Sequence, residues 1–141
     1  MTIERKVGMG IAGQPSGGPT DVADVFSTHL YAGNAGSQTI TNGIDLAGEG
    51  GMVWFKRRNG AVNHVIFDTE RWTASSGNGL FPNLANGAGN INELTGFNSN
   101  GFGVTASGYI NDSYDMASWT FRKKKKFFDI ITYSGNSVAG R

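Results

Sequence analysis

Asp68 and Glu70 stand two apart, a spacing that puts both carboxylates on one face of a strand, as a glycosidase acid pair requires. Arg71 beside them offers a structural partner, so we expect a polar, solvent-facing pair and not a catalytic one. His29 and His64 have no acidic neighbour at the spacing of a catalytic triad or a zinc site. The serines include no Gly-x-Ser-x-Gly elbow. Asn111-Asp-Ser-Tyr-Asp115 holds oxygen ligands suited to calcium, but without the regular alternation of a dedicated calcium loop. Gly8-Met-Gly10-Ile-Ala-Gly13 has dinucleotide-binding spacing, yet Gln-Pro-Ser-Gly-Gly-Pro follows and cannot open the helix that would face a pyrophosphate. Lys123, Lys124, Lys125 and Lys126 lie between Phe121 and Phe127, where cations and rings can grip a phosphate chain. A net charge of +1 supplies no broad basic face around them, so a solvated hairpin tip is expected. Its lysines would also discourage edge-to-edge strand pairing, or dock on an acidic surface. The residues thus predict no enzyme activity, no cofactor, no metal and no nucleic-acid partner.

The elements that must carry these residues read as strands. Of 141 residues 22 are glycine and 16% are charged, a composition that suits short strands and tight turns. With no cysteine there is no disulfide and no thiolate metal site. No apolar run approaches the roughly 20 residues of a membrane helix, and Met1 to Lys6 lack the apolar stretch of an export signal. Strands are predicted at Val25–Tyr31, Gln38–Thr41, Met52–Phe55, Val65–Asp68, Gly101–Thr105, Ala117–Phe121 and Phe127–Tyr133. Met52-Val-Trp-Phe55 is apolar on both faces and reads as a central strand. Ala117, Trp119 and Phe121 alternate with Ser118, Thr120 and Arg122, so the first three are expected to face the core together with Trp54, Phe67 and Phe102. Residues 72–96 form a long irregular loop with a short strand near Asn92–Thr95. No amphipathic helix of ten residues stands out. The fold class is all-β, an antiparallel β-sandwich of the concanavalin or jelly-roll kind, preceded by an extended N-terminal arm.

Three regions follow. Residues 1–22, with their glycines and Pro15 and Pro19, leave no room for a packed element and read as an arm extended along a partner. Residues 23–127 form the sandwich. In residues 128–141, Phe128, Tyr133, Gly135 and Asn136 repeat Phe26, Tyr31, Gly33 and Asn34 at identical spacing. This segment reads as the start of a second repeat or as a connecting strand.

The ordered set Phe26–Asn34, Gln38–Gly51, Val53–Arg58, His64–Arg71, Phe97–Phe102 and Ala117–Lys123 resembles a module of tail-fibre-like structural proteins of marine tailed bacteriophages. Such modules usually carry an Ala-Pro pair where this chain has its four lysines. The resemblance implies concanavalin-type sandwiches in series and a homotrimeric virion protein concerned with host contact. The expected location is the virion, and the expected partners are other tail or baseplate proteins. Val7, Met9, Ile11, Pro15 and Pro19 would then anchor the arm. Trp72, Phe81 and Lys123–Lys126 would contact a host-surface glycan or a neighbouring protein. The alternatives are a carbohydrate-binding module stacking sugars on Trp72 and Phe81, and a capsid decoration or head-spike protein. No membrane insertion is expected.

Overall fold

A computed structural model describes residues 21–73, 77–106 and 108–137. The chain is all-β and antiparallel. A four-residue helix, α1 (Val22–Val25), is capped by the Asp21 side chain accepting from Ala23 N. The strands are β1 (Phe26–Ala32), β2 (Gln38–Thr41), β3 (Gly51–Arg57), β4 (Val65–Asp68), β5 (Asn78–Gly79), β6 (Gly89–Asn90), β7 (Leu94–Asn98), β8 (Gly101–Val104) and β9 (Asp115–Arg122). A second short helix, α2 (Leu46–Glu49), lies between β2 and β3. One sheet has the order β1-β9-β3-β4, a second β2-β8-β7, and β5-β6 make a small ribbon. The first and last strands are therefore neighbours, and β3 is central as its two apolar faces predict.

The two larger sheets share one core. Val53 and Phe55 of β3, Val65 and Phe67 of β4, and Phe102 and Val104 of β8 are all buried in it. Phe55 meets Phe102 across the layers edge-on at 5.1 Å and Phe67 at 6.1 Å. Each such fully buried ring contributes roughly 1.5–3 kcal/mol from burial. Between β7 and β8 the chain turns so tightly that Gly101 takes φ 133°. A Cβ there would lie 2.0 Å from the Ile40 carbonyl oxygen, so only glycine allows β2 to pair at this point.

Three expectations are corrected. Phe67 and Phe102 sit in the core, but Trp54, Trp119 and Phe121 do not. Ser118 stands opposite core Phe55 and Thr120 opposite core Val53, so Trp119, Phe121 and Ala117 point to the other side of the sheet. The alternation was real, but the hydroxyls face inward. The rings of β3, β4 and β8 already fill that space, so β9 must supply small side chains there. Thr120 Oγ1 accepts a hydrogen bond from Asn42 Nδ2 at 2.8 Å, which satisfies one buried hydroxyl. Second, Phe127–Tyr133 is not a strand. Beyond β9 the lysines form a turn closed by a single bridge between Lys124 and Phe128, and residues 129–137 belong to no strand. Third, Asp68 does not face solvent. It is buried and accepts from the backbone N–H groups of Glu70 and Arg71 while pairing with the Arg71 guanidinium.

Candidate functional site

Among the described residues, the outer face of the four-stranded sheet carries half-buried aromatic side chains that the core does not take in. Register places Thr28, Trp119, Trp54 and Ile66 in one row across β1, β9, β3 and β4. The next row holds Phe26, Phe121, Met52 and the buried Asp68, and a third holds Leu30, Ala117 and Lys56. Leu30 is 55% exposed. The rings touch one another: Trp54 and Trp119 lie edge-on at 6.1 Å, and Phe26 and Phe121 are 4.9 Å apart. Phe128 folds back over Phe121 at 5.4 Å and closes one end of the face. Trp54, His64, Trp119 and Phe121 together line a shallow cavity of about 340 Å³. Its walls are aromatic, with polar atoms confined to the rim.

His64 is held at that rim by the hairpin between β3 and β4. Lys56 Nζ donates to the Val62 carbonyl at 3.0 Å and draws the loop onto the sheet. Asn83 Oδ1 accepts from His64 N at 3.1 Å, fixing where the strand begins. Trp54 Nε1 donates to His64 Nδ1 at 2.9 Å. That bond requires an unprotonated Nδ1, so the neutral ring carries its proton on Nε2. Desolvation, followed by the positive charge of Lys56, lowers the His64 pKa and favours the same neutral form. The arrangement offers flat rings for stacking, and no nucleophile with a base beside it.

The other singled-out residues are placed as follows. Trp72 is half-buried against Phe97 at 5.6 Å, with its indole N–H buried and unpaired. Phe81 is half-buried against Tyr109 at 5.3 Å. Both rings pack on the core. Lys123–Lys126 line a separate open groove of about 620 Å³ with Glu49, Phe127, Phe128 and Asp129, and neither Trp72 nor Phe81 belongs to it. Lys123 is engaged there by Glu70 at 2.7 Å and Asp129 at 3.5 Å. The hydrogen bond that Lys123 donates to the Glu70 carboxylate is the main cause of its raised pKa. Lys125 and Lys126 are exposed. Asn111 is fully buried and spends its amide on Asn34, Gly36 and Gln38. Among the described residues no three histidines or carboxylates cluster as a metal site, and no helix is long and apolar enough to cross a membrane. Val7, Met9, Ile11, Pro15 and Pro19 lie outside the described residues.

Trp54, Trp119 and Phe121 are the site residues that sequence reasoning misplaced, while His64 is the hydrogen-bonded residue at the start of a strand that the sequence suggested. One signal pointed to the three misplaced rings. A strand apolar on both faces gives its sheet two apolar faces, and one of these must be covered by something else. No curated protein and no solved structure matches this chain. A family model described as a domain of unknown function, DUF7483, matches residues 21–141, so the chain belongs to that family.

Proposed function

We propose that this chain is a binding and assembly module of a tailed-bacteriophage virion, a tail-fibre or appendage subunit without enzyme activity. It contacts its host receptor or a neighbouring virion protein through the outer aromatic face of the β1-β9-β3-β4 sheet. The carrying observation is that Trp54, Trp119 and Phe121 point away from the core while Ser118 and Thr120 fill it. Aromatic anchors of this kind dominate binding surfaces because they bring large area at low conformational cost. The phage context, the concanavalin-type fold and the homotrimer come from the resemblance of Phe26–Asn34, Val53–Arg58 and Ala117–Lys123 to tail-fibre-like modules. In a trimer a weak face is presented three times, which raises avidity without new contacts. The arm of residues 1–22 serves as the anchor. Locating the chain in an intact particle tests the reading. Density in the tail with three-fold symmetry supports it; density on the capsid shell would make it a decoration or spike protein. Particles carrying Trp54→Ala with Trp119→Ala should assemble and adsorb poorly to host cells.

The aromatic cavity favours a second reading, a carbohydrate-binding module. Its volume of about 340 Å³ fits a sugar ring stacked on Trp119 with hydroxyls reaching His64. This moves the stacking surface from Trp72 and Phe81, which pack on the core, to Trp54 and Trp119. A glycan array probed with this chain and with Trp119→Ala separates the readings. Binding that the substitution abolishes supports the carbohydrate site, and an array without signal leaves protein contact as the role of the face.

A further inference from the structure

Each residue that the C-terminal segment shares with β1 has a defined duty in β1. Phe26 packs its ring on Phe121 of β9. Tyr31 turns inward, meets Phe102 at 6.4 Å and donates its hydroxyl hydrogen to the Ile110 carbonyl. Gly33 lets the chain pass against the loop before β9: a Cβ there would lie 1.7 Å from the Asp112 carbonyl oxygen. Asn34 Oδ1 accepts from buried Asn111 Nδ2 at 3.2 Å, and from Gly36 N at 2.9 Å. These four contacts seat β1 on β9 and on the Asn111 loop.

Phe128, Tyr133, Gly135 and Asn136 repeat that set in order and spacing. The backbone repeats it too. Ala35, just after Asn34, has φ 51°, and Ser137, just after Asn136, has φ 60°. Non-glycine residues at positive φ are uncommon, and among the described residues only Lys126 shares the feature with these two. The second copy thus repeats the strand's anchor residues and the positive φ that follows them. It has no sheet, however. Residues 129–137 belong to no strand, Ile131 is 80% exposed and Tyr133 is 89% exposed. In β1 the equivalent tyrosine is half-buried on the core side.

We propose that residues 128–137 are a second strand of the β1 type that docks in the β1 position of another copy of this chain, against its β9 and Asn111 loop. Tyr133 would take the place of Tyr31, and Gly135 would pass Asp112 as Gly33 does. β1 lies at the edge of its sheet, so one strand can replace it without opening the sandwich. Exchange of identical elements between protomers is a low-cost route to association.

The test uses the full chain. Gly33→Val obstructs a chain's own β1 but leaves its C-terminal strand intact. We expect this variant to form dimers or larger species by light scattering. Adding Gly135→Val should abolish them, because the incoming strand then meets the same carbonyl. Equal association states for the single and double variants would overturn the proposal. Should Gly33→Val not fold, a chimera decides. Ser27→Asp, Thr28→Ile, His29→Ile, Leu30→Thr and Ala32→Ser together write the C-terminal copy into β1 of the intact chain. The proposal requires a folded chimera whose Tm lies within about 8 °C of the parent, and an unfolded chimera refutes it.

Discussion

The two faces of the four-stranded sheet are built to opposite rules. On β9 the inner face carries Met116, Ser118 and Thr120, and the outer face carries Ala117, Trp119 and Phe121. An antiparallel sheet with one solvated face normally turns its aromatics inward and its hydroxyls out. Here the inner space is already occupied by Phe55, Phe67 and Phe102, each fully buried. A bulky residue at Ser118 would collide with Phe55 directly across from it. The difference teaches that the larger side chains of a strand do not mark its core side by themselves. Volume on the facing strands decides, and the leftover aromatics then stand on the outer face.

The largest expected effect is on the inner face. Phe55→Ala removes a ring touching Phe67 and Phe102 and should cost about 3–5 kcal/mol in denaturant unfolding. Ser118→Leu tests whether the small inward residues are required. Overpacking should cost about 1–3 kcal/mol, and a stabilised variant would break the comparison. On the outer face Trp119→Ala loses an edge-on contact with Trp54 but leaves no enclosed void. A cost of about 1 kcal/mol is expected, with a large loss of host adsorption. A cost as high as that of Phe55→Ala would mean that the outer face belongs to the core.

Most strands were legible because their residue patterns are local. Gln38–Thr41, the two apolar sides of Met52–Phe55, Val65–Asp68 and the alternation of Ala117–Phe121 all appear as strand signals, and the structure holds strands β2, β3, β4 and β9 there. The direction of β9 was not legible. A period of two says which residues share a face, while the choice of face depends on Phe102 and Phe55, distant in sequence. The candidate site was hidden for the same reason, since it consists of the residues that the core rejected. The pairing of Asp68 with Arg71 was legible, but its burial was not, because its two backbone donors appear only once the turn after β4 has formed. The Phe128 segment shows the converse failure. Its aromatic and β-branched residues read as a strand, but residues 129–137 belong to none, because composition alone supplies no pairing edge.

Two titrating groups carry the comparison into pH. Tyr31 belongs to the inner side. Burial, then the charge of Glu93, pushes its phenol far above its ordinary range. The folded state therefore holds a proton that the unfolded chain releases near pH 10, so stability is intact below that value and falls as pH rises above it. Tm should drop above about pH 10, and Tyr31→Phe should flatten that limb.

His64 belongs to the outer face and shifts the other way. Its pKa is lowered from 6.5, first by desolvation and then by Lys56. The unfolded chain takes up the proton first as pH falls, so the contribution of neutral His64 is present above about pH 6.5 and is lost below it. The effect on stability is the smallest of the set because His64 sits at the rim, in contact with water. Its local consequence is larger. Protonation of Nδ1 removes the acceptor of Trp54 Nε1, so Trp54 must surrender its 2.9 Å hydrogen bond. Trp54 emission should therefore titrate with a midpoint below 6.5, and His64→Phe should abolish that transition while leaving Tm nearly unchanged. Lys56→Met should move the midpoint upward, since one positive neighbour is removed. A midpoint that ignores Lys56 would show that the hairpin does not hold Lys56 beside the ring, and the rim of the aromatic cavity would have to be redrawn.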